Sequence, residues 1–355
     1  MSIGKERRVG LEVGRGNPIL SVLQGLIKDC RDVPTSLHLP KEAEDRSHYF
    51  CPESVYLPQH LIKAITTKRR PAKKPLSTRL ELGSHISSIP NRTAKSSSGG
   101  VHVATSKMLP TPSTSHVSFD NIYEPAEDSY LLLDTLSAFS ETKFLSTRFP
   151  SSTPSPLVLE VGVGSGVVLA FVAANAKTIF NRSDVAFLGS DVNTLAAKAA
   201  TQTVDLAIAE IAPQSRPAPV SSGVVVADLA SAVRENEVDV LIFNPPYVPT
   251  EDLPAPLDDA AMSSGAVFER DSKLLELSYA GGVDGMETTD RLLDQLPTIL
   301  SARGVAYVLL CAQNKPEAVK ASIRARPGGW NAETVGSSGK KAGWEKLVIL
   351  RIWRD

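Results

Sequence analysis

Cysteine is scarce. Only Cys30, Cys51 and Cys311 occur in 355 residues, too scattered and odd in number for a disulfide framework or a thiolate metal site. Such usage fits a reducing compartment, and no bound metal is expected. Long apolar runs are also absent. No stretch approaches the ~18–20 apolar residues that span a bilayer, so no membrane partner is expected. The opening "MSIGKERRVGLEVGRG" lacks the apolar core of a secretory signal, and its Glu6 and Glu12 set it apart from an acid-poor mitochondrial leader. No internal repeat is visible. The expected location is cytoplasmic, with a nuclear location as an added candidate.

The overall balance of charge hides an uneven distribution. Of 38 basic and 39 acidic residues, 18 and 9 fall within residues 1–115, leaving 20 and 30 for the remainder. The first part is thus basic and the second acidic. Residues 1–115 show little sustained periodicity. Two short amphipathic helices are suggested by "NPILSVLQGLIKDC" and "YLPQHLIKAITTKRRPAKKP". From Ser84 to Ser115, Ser, Thr, Gly and Pro dominate, as in a flexible linker. The run "KRRPAKK" (Lys68 to Lys74) is a candidate nuclear address or nucleic-acid contact, or simply a solvated basic tail. Residues 1–115 therefore read as a basic, largely disordered leader, and residues 116–355 as the folded domain.

That domain is strongly patterned. "EPAEDSYLLLDTLSAF" places Tyr130, Leu131, Leu133, Leu136 and Phe139 at helical spacing, with Glu127 and Asp128 near the start. "LVLEVGVGSGVVLAFVAANA" is an apolar strand, a glycine turn and an apolar helix. "VAFLGSDVNTLAAKAATQTVDLAIAEI" is a strand, an acidic turn and a long alanine-rich helix. "GVVVADL" and "VDVLIFNPP" are short β-branched strands. "TTDRLLDQLPTILS" predicts a helix interrupted by its proline, followed by the strand "VAYVLLCA". "PEAVKASIRA" predicts a helix with proline in its first turn. "WNAETVG" and "WEKLVILRIW" close the chain. Alternating strands and helices imply a parallel α/β sheet covered on both faces. The last two strands, joined without a helix, imply a C-terminal antiparallel hairpin.

Polar residues gather at the predicted carboxyl ends of the strands, where ligands bind in open α/β sheets. In "EVGVGSG", Gly162, Gly164 and Gly166 permit a sharp strand-to-helix turn and close approach of a ligand. The spacing departs from the G-x-G-x-x-G dinucleotide fingerprint. Glu160, just before the turn, opposes a pyrophosphate and suits a cationic ligand. Asp191 ends the next strand, placed to accept both hydroxyls of a ribose. Asp228 follows "VVVA", placed to receive the exocyclic amine of an adenine. Asn244 ends the fourth strand in "NPPY", where two prolines cannot continue a ladder. Each acid alone is also explained as a helix N-cap or a solvated turn. Four such residues at consecutive strand ends are harder to explain that way.

Together "EVGVGSG", "SD", "AD" and "NPPY" resemble a class I S-adenosylmethionine-dependent methyltransferase acting on a planar exocyclic or amide nitrogen. "IYEPAEDSYLLLDTL", "NPPYVPT", "AGGVDGMETTDRLL" and the terminal "KKAGWEKLVILRI" resemble the eukaryotic HemK-like branch, which methylates the glutamine of the Gly-Gly-Gln motif in class I translation release factors. The likeness spans residues 117–355. It implies a Rossmann-like seven-stranded class I methyltransferase sheet ending in the antiparallel hairpin, and S-adenosyl-L-methionine as cofactor. It places Ser129 at the cofactor's methionine end, Glu160 and Gly162 beside methionine and ribose, Asp191 on the ribose, and Asp228 with Leu229 around the adenine. Asn244 touches both cofactor and substrate.

The chemistry suits that placement. An amide nitrogen is a poor nucleophile because its lone pair is delocalised into the carbonyl. The Asn244 side-chain carbonyl and the Pro245 backbone carbonyl can each accept one of its N–H groups and aim it. Pro245 and Pro246 fix the turn before the substrate arrives, and Tyr247 offers a flat wall for the planar amide. The resemblance further implies a small zinc-binding activator subunit as a partner, with "VVVADL" as a candidate edge strand for pairing. Tyr279 stands where the family usually has tryptophan. "AGGVDG" reads as a flexible loop, and "LDDAAMSSGAVFERDSK" as a polar insertion or lid. DNA adenine or histone lysine remain alternative substrates, and a non-catalytic scaffold remains an alternative class. An acidic domain makes nucleic acid a poor partner.

Overall fold

In the computed structural model of the chain, the described residues are 108–211, 218–254, 267–339 and 346–355. The expectations for the leader up to residue 107 lie outside them, including its two helices and "KRRPAKK". So do the first part of the polar insertion with the two residues before it (255–266) and residues 340–345 between the last two strands.

Seven strands form one sheet: β1 (Leu157–Val161), β2 (Ala186–Asp191), β3 (Val220–Val226), β4 (Val238–Phe243), β5 (Leu300–Cys311), β6 (Trp330–Ser337) and β7 (Leu347–Arg354). Their order is β3-β2-β1-β4-β5-β7-β6. The first five strands are parallel where they pair, and β7 runs antiparallel to both β5 and β6. This is the Rossmann-like class I sheet with its terminal hairpin. β1, β2 and β4 are buried at every position, as near-continuous apolar strands covered on both faces must be.

Side chains alternate between the two faces. Leu157, Leu159 and Val161 of β1 join Leu241 and Phe243 of β4 and Ala306, Val308 and Leu310 of β5 in one core. That core is closed by Leu292, Leu293 and Leu296 of helix α7 (Glu287–Ile299) and Ile323 of α8 (Pro316–Ala325). The other face carries Glu160, which bonds the backbone of α3 (Val167–Ala174), and Tyr307, which bonds Glu141 of α2 (Phe139–Arg148). The helices α4 (Ala176–Phe180) and α5 (Thr194–Ile211) complete the crossovers flanking β2.

Two local expectations change. The single helix expected around Tyr130–Phe139 is two, α1 (Glu127–Ser137) and α2, parted at Ala138, whose ψ of 147° is extended. The proline in "TTDRLLDQLPTILS" does not interrupt α7, which continues past Pro297 to Ile299. Proline strips the carbonyl four residues earlier of its helical donor. That carbonyl, on Leu293, instead accepts Arg326 Nη1 at 2.5 Å. The described end of the polar insertion lies in helix α6 (Val267–Tyr279).

Candidate active site

The register levels the carboxyl ends of the central strands. Val161 pairs with Ser190 on one side and Phe243 on the other, so Gly162, Asp191 and Asn244 emerge at one height. They open into a cavity of about 810 Å³, within the usual ~300–1,000 Å³ of a small-molecule site. Ser129, Glu160, Gly162, Asp191, Asp228 and Leu229 line it, as do Asn244, Pro245 and Pro246. Nine of the ten residues singled out in the sequence are thereby brought together. Tyr247 is the exception and stands beyond the lining.

Glu160 is buried and accepts the Leu169 N–H at 2.7 Å through Oε2, capping the third residue of α3. Burial pushes its carboxyl well above the ordinary 4.5, an effect opposed by the Leu169 bond and reinforced by nearby Asp191. Asp191 is likewise raised by burial, against the pull of backbone N–H groups. Its Oδ1 accepts from Asn193 N at 2.8 Å and its Oδ2 from Gly164 N at 2.9 Å. Each oxygen keeps lone-pair capacity for a further donor. Close packing explains one glycine of the turn: a Cβ at Gly166 would stand 2.6 Å from Ala200 Cα on α5.

Asp228 lies two residues past the end of β3 and is paired with Arg291 of α7, with both side chains about half exposed. The adenine amine assigned to it therefore meets a carboxylate that already holds a cation. Leu229 sits at φ 51° with its side chain buried. An apolar residue in the left-handed region is uncommon and points to a backbone held for the cavity's shape.

The Asn-Pro-Pro-Tyr turn is fixed from two sides. Asn244 Nδ2 donates to Asp128 Oδ2 at 3.2 Å, while Asn244 Oδ1 is buried and has no hydrogen-bond partner among the described residues. A carboxylate only accepts, so the amide nitrogen must face Asp128 and the oxygen must face away. Behind the turn, buried Asn314 donates through Nδ2 to the carbonyls of Tyr247 (3.0 Å) and Asp284 (2.9 Å), and its Oδ1 accepts Cys311 N–H at 2.7 Å. The "AGGVDG" segment is packed against the turn, unlike the flexible loop expected. A Cβ at Gly281 would stand 2.4 Å from the Pro246 carbonyl, and Gly281 N donates to Val248 O at 2.8 Å. Its glycines serve close approach. Tyr279 is half exposed and gives its carbonyl to Val248 N–H at 3.0 Å.

Asp128, Asn314 and Arg291 were not assigned to the site from sequence. Asp128 stands beside Ser129 in "AEDSY", but an acid in the first turn of a helix is already explained by the helix dipole. Asn314 carries no sequence signal, and Arg291 shows only as one residue of "AGGVDGMETTDRLL", since their roles depend on which loops the sheet brings together.

No protein-family model matches the sequence. Curated relatives do. The eRF1 methyltransferase catalytic subunit mtq2 of Schizosaccharomyces pombe is 35% identical over 251 residues, covering 70% of this chain and 96% of the relative. Methyltransferase HEMK2 of Mus musculus is 32% identical over 250 residues (69% and 96%), and that of Homo sapiens is 31% identical over 251 (69% and 97%). The chain belongs to the HemK-like methyltransferase family. The match takes in nearly the whole length of each relative. In this HemK-like chain, the acids of the cleft and the rigid turn at β4 face one shared cavity.

Proposed function

We propose that this protein transfers a methyl group from S-adenosyl-L-methionine to the side-chain amide nitrogen of the glutamine in the Gly-Gly-Gln motif of the class I translation release factor. The observation that carries the reading is Asn244: its amide is anchored on Asp128, and its buried oxygen is an acceptor without a donor. A buried acceptor left unpaired costs about 1–3 kcal/mol, and an incoming amide N–H relieves it.

The residues present fit the cofactor. Glu160 and Asp191 are buried carboxylates with no salt-bridge partner among the described residues, an arrangement suited to a cationic ligand. Asp191 offers its remaining lone pairs to ribose hydroxyls, and Leu229 with the Asp228 backbone borders the base. Ser129 stands beside Asp128 at the methionine end. When bound, the cofactor supplies a methyl group activated by a positively charged sulfur. The protein's own contribution is orientation. Asn244 Oδ1 accepts one amide N–H and the Pro245 carbonyl is the acceptor proposed for the other. Pro245, Pro246 and the Asn314 anchor hold both acceptors in place before substrate binds. Tyr247, outside the cavity lining, is proposed to border the substrate side of the turn.

The relative from fission yeast is named for eRF1 and as a catalytic subunit, which supports both the release-factor substrate and a second chain. The small zinc-binding activator is proposed to pair with β3. That strand is one edge of the sheet. Any zinc is proposed to belong to that partner, since this chain has only three scattered cysteines.

Mass spectrometry of release factor incubated with this chain, the activator and the cofactor tests the reading. A methyl group on the Gly-Gly-Gln glutamine is the expected result. Methylation confined to DNA adenine or histone lysine under the same conditions would replace it.

A further inference from the structure

We propose that Asp128 is the positioning residue that sets which end of the Asn244 amide faces the substrate; this rests on the glutamine reading above. Asp128 occupies the first turn of α1, yet it is buried and does not act as a solvated helix-end acid. Its Oδ1 accepts Ser129 N–H at 2.6 Å and Ser129 Oγ at 3.2 Å. Its Oδ2 accepts Asn244 Nδ2 at 3.2 Å. Both oxygens are committed to donors, and the backbone N–H of Ser129 cannot be turned away. The carboxylate is therefore held, and it in turn holds the amide.

An asparagine side chain can rotate by half a turn, exchanging its oxygen and its nitrogen with almost no change of shape. One orientation offers the substrate an acceptor, the other a donor. Only the first matches an amide N–H. Nothing in Asn244 itself chooses between them, since its Oδ1 has no partner among the described residues. Asp128 makes the choice, because a carboxylate facing Asn244 tolerates only the N–H₂ end. The preference is thus built in from α1, an element outside the strand ends that carry the rest of the site.

The isosteric variant Asp128→Asn inverts the choice. The new side chain must keep its oxygen on Ser129 N–H, so it presents its own amide nitrogen to Asn244. Asn244 then turns its oxygen toward position 128 and its nitrogen toward the substrate. Turnover on the release factor should fall about a hundredfold, the scale of losing one pre-set polar group at a reacting centre, in kcat and not in KM. Cofactor affinity and melting temperature should change little. Adding Asn244→Asp restores complementarity: the amide at 128 now donates to a carboxylate, whose second oxygen again offers an acceptor to the substrate. The double variant should recover much of the activity that Asp128→Asn loses.

Near-normal turnover of Asp128→Asn, a loss confined to cofactor affinity, or a double variant no better than the single one would each overturn the proposal. A second readout needs no turnover. With selectively labelled full-length chain, the Asn244 side-chain amide protons should exchange slowly and lose protection in Asp128→Asn. Unprotected amide protons in the wild type would also overturn it. If the wild type methylates no glutamine while this protection pattern holds, the substrate reading fails and the anchor stands.

Discussion

Both ends of the parallel strands hold carboxylates, with Asp239 buried at one end and Glu160 and Asp191 buried at the other. At the amino ends, Arg303 grips Asp239 through Nε and Nη2, each at 2.9 Å, and Arg182 holds Asp184 at 2.9 and 2.6 Å. At the carboxyl ends, Glu160 and Asp191 receive backbone N–H groups and Asp128 receives N–H and hydroxyl donors, but none has an arginine or lysine among the described residues. The titration behaviour divides the same way. Arg182 holds Asp184 below the ordinary 3.8, whereas burial pushes Asp191 and Glu160 above their ordinary 3.8 and 4.5. At one end the fold completes its own charge pairs. At the other, Asp228 is paired with Arg291, but the buried Glu160 and Asp191 are left for a cationic ligand to complete, which is why electrostatic cost and binding capacity sit together.

The largest effect should come from breaking the completed end. Arg303→Met leaves Asp239 buried without its cation and should destabilise the protein by about 3–5 kcal/mol. Denaturant unfolding measures the loss. Calorimetry on the folded variant should find cofactor affinity unchanged. If affinity fell along with stability, the two ends of the sheet would not be separable in the way drawn here.

Asn244→Ala attacks the open end. Turnover on the release factor should fall about a hundredfold, which corresponds to ~2.7 kcal/mol of lost transition-state stabilisation. Unfolding should be little changed, because the substitution also removes a buried unpaired oxygen. Near-normal turnover would reduce Asn-Pro-Pro-Tyr to a rigid turn. Asp191→Ala should act on binding alone: each hydrogen bond to a charged acceptor contributes ~1.5–3 kcal/mol, so cofactor affinity should drop by about tenfold or more. Unaltered affinity would remove Asp191 from the ribose site.

What could be read in advance follows from the range of the forces involved. The strands and the glycine turn were legible because apolar runs, β-branched residues and glycines act locally. Glu160, Asp191, Asp228 and Asn244 were legible because topology puts every strand end of a parallel sheet on one rim. Asp128 was visible only as a helix-end acid, since nothing local ties it to Asn244, which is 116 positions away. The Arg291 pairing of Asp228 and the Asn314 anchor depend on loops meeting across the fold. Pro297 misled for a related reason. Its local effect is to free a carbonyl, and the arginine that takes up that carbonyl lies on a distant segment.

The smallest expected effect is the most diagnostic of the open end. Glu160→Gln keeps an oxygen for the Leu169 N–H but removes the buried charge. Because burial raises the folded-state value of Glu160 above 4.5, the folded protein holds this proton at pH values where the unfolded chain has released it. The stability linked to it is fully present below the unfolded value and is lost as pH rises through the folded one. Wild type and variant should therefore melt alike in acid, and the variant should gain as pH rises through that window. A gain of about 1 kcal/mol would appear as a rise of ~2–4 °C. Asp184 and Asp191 titrate in both proteins, so their contributions largely cancel in the difference. Saturating cofactor should narrow the gap, because the ligand stabilises the ionised wild type and binds the variant more weakly. Thermal melts across pH, with and without cofactor, measure both changes. A difference independent of pH would mean that Glu160 bears no buried-charge penalty and that the carboxyl ends of the sheet are as well compensated as the amino ends.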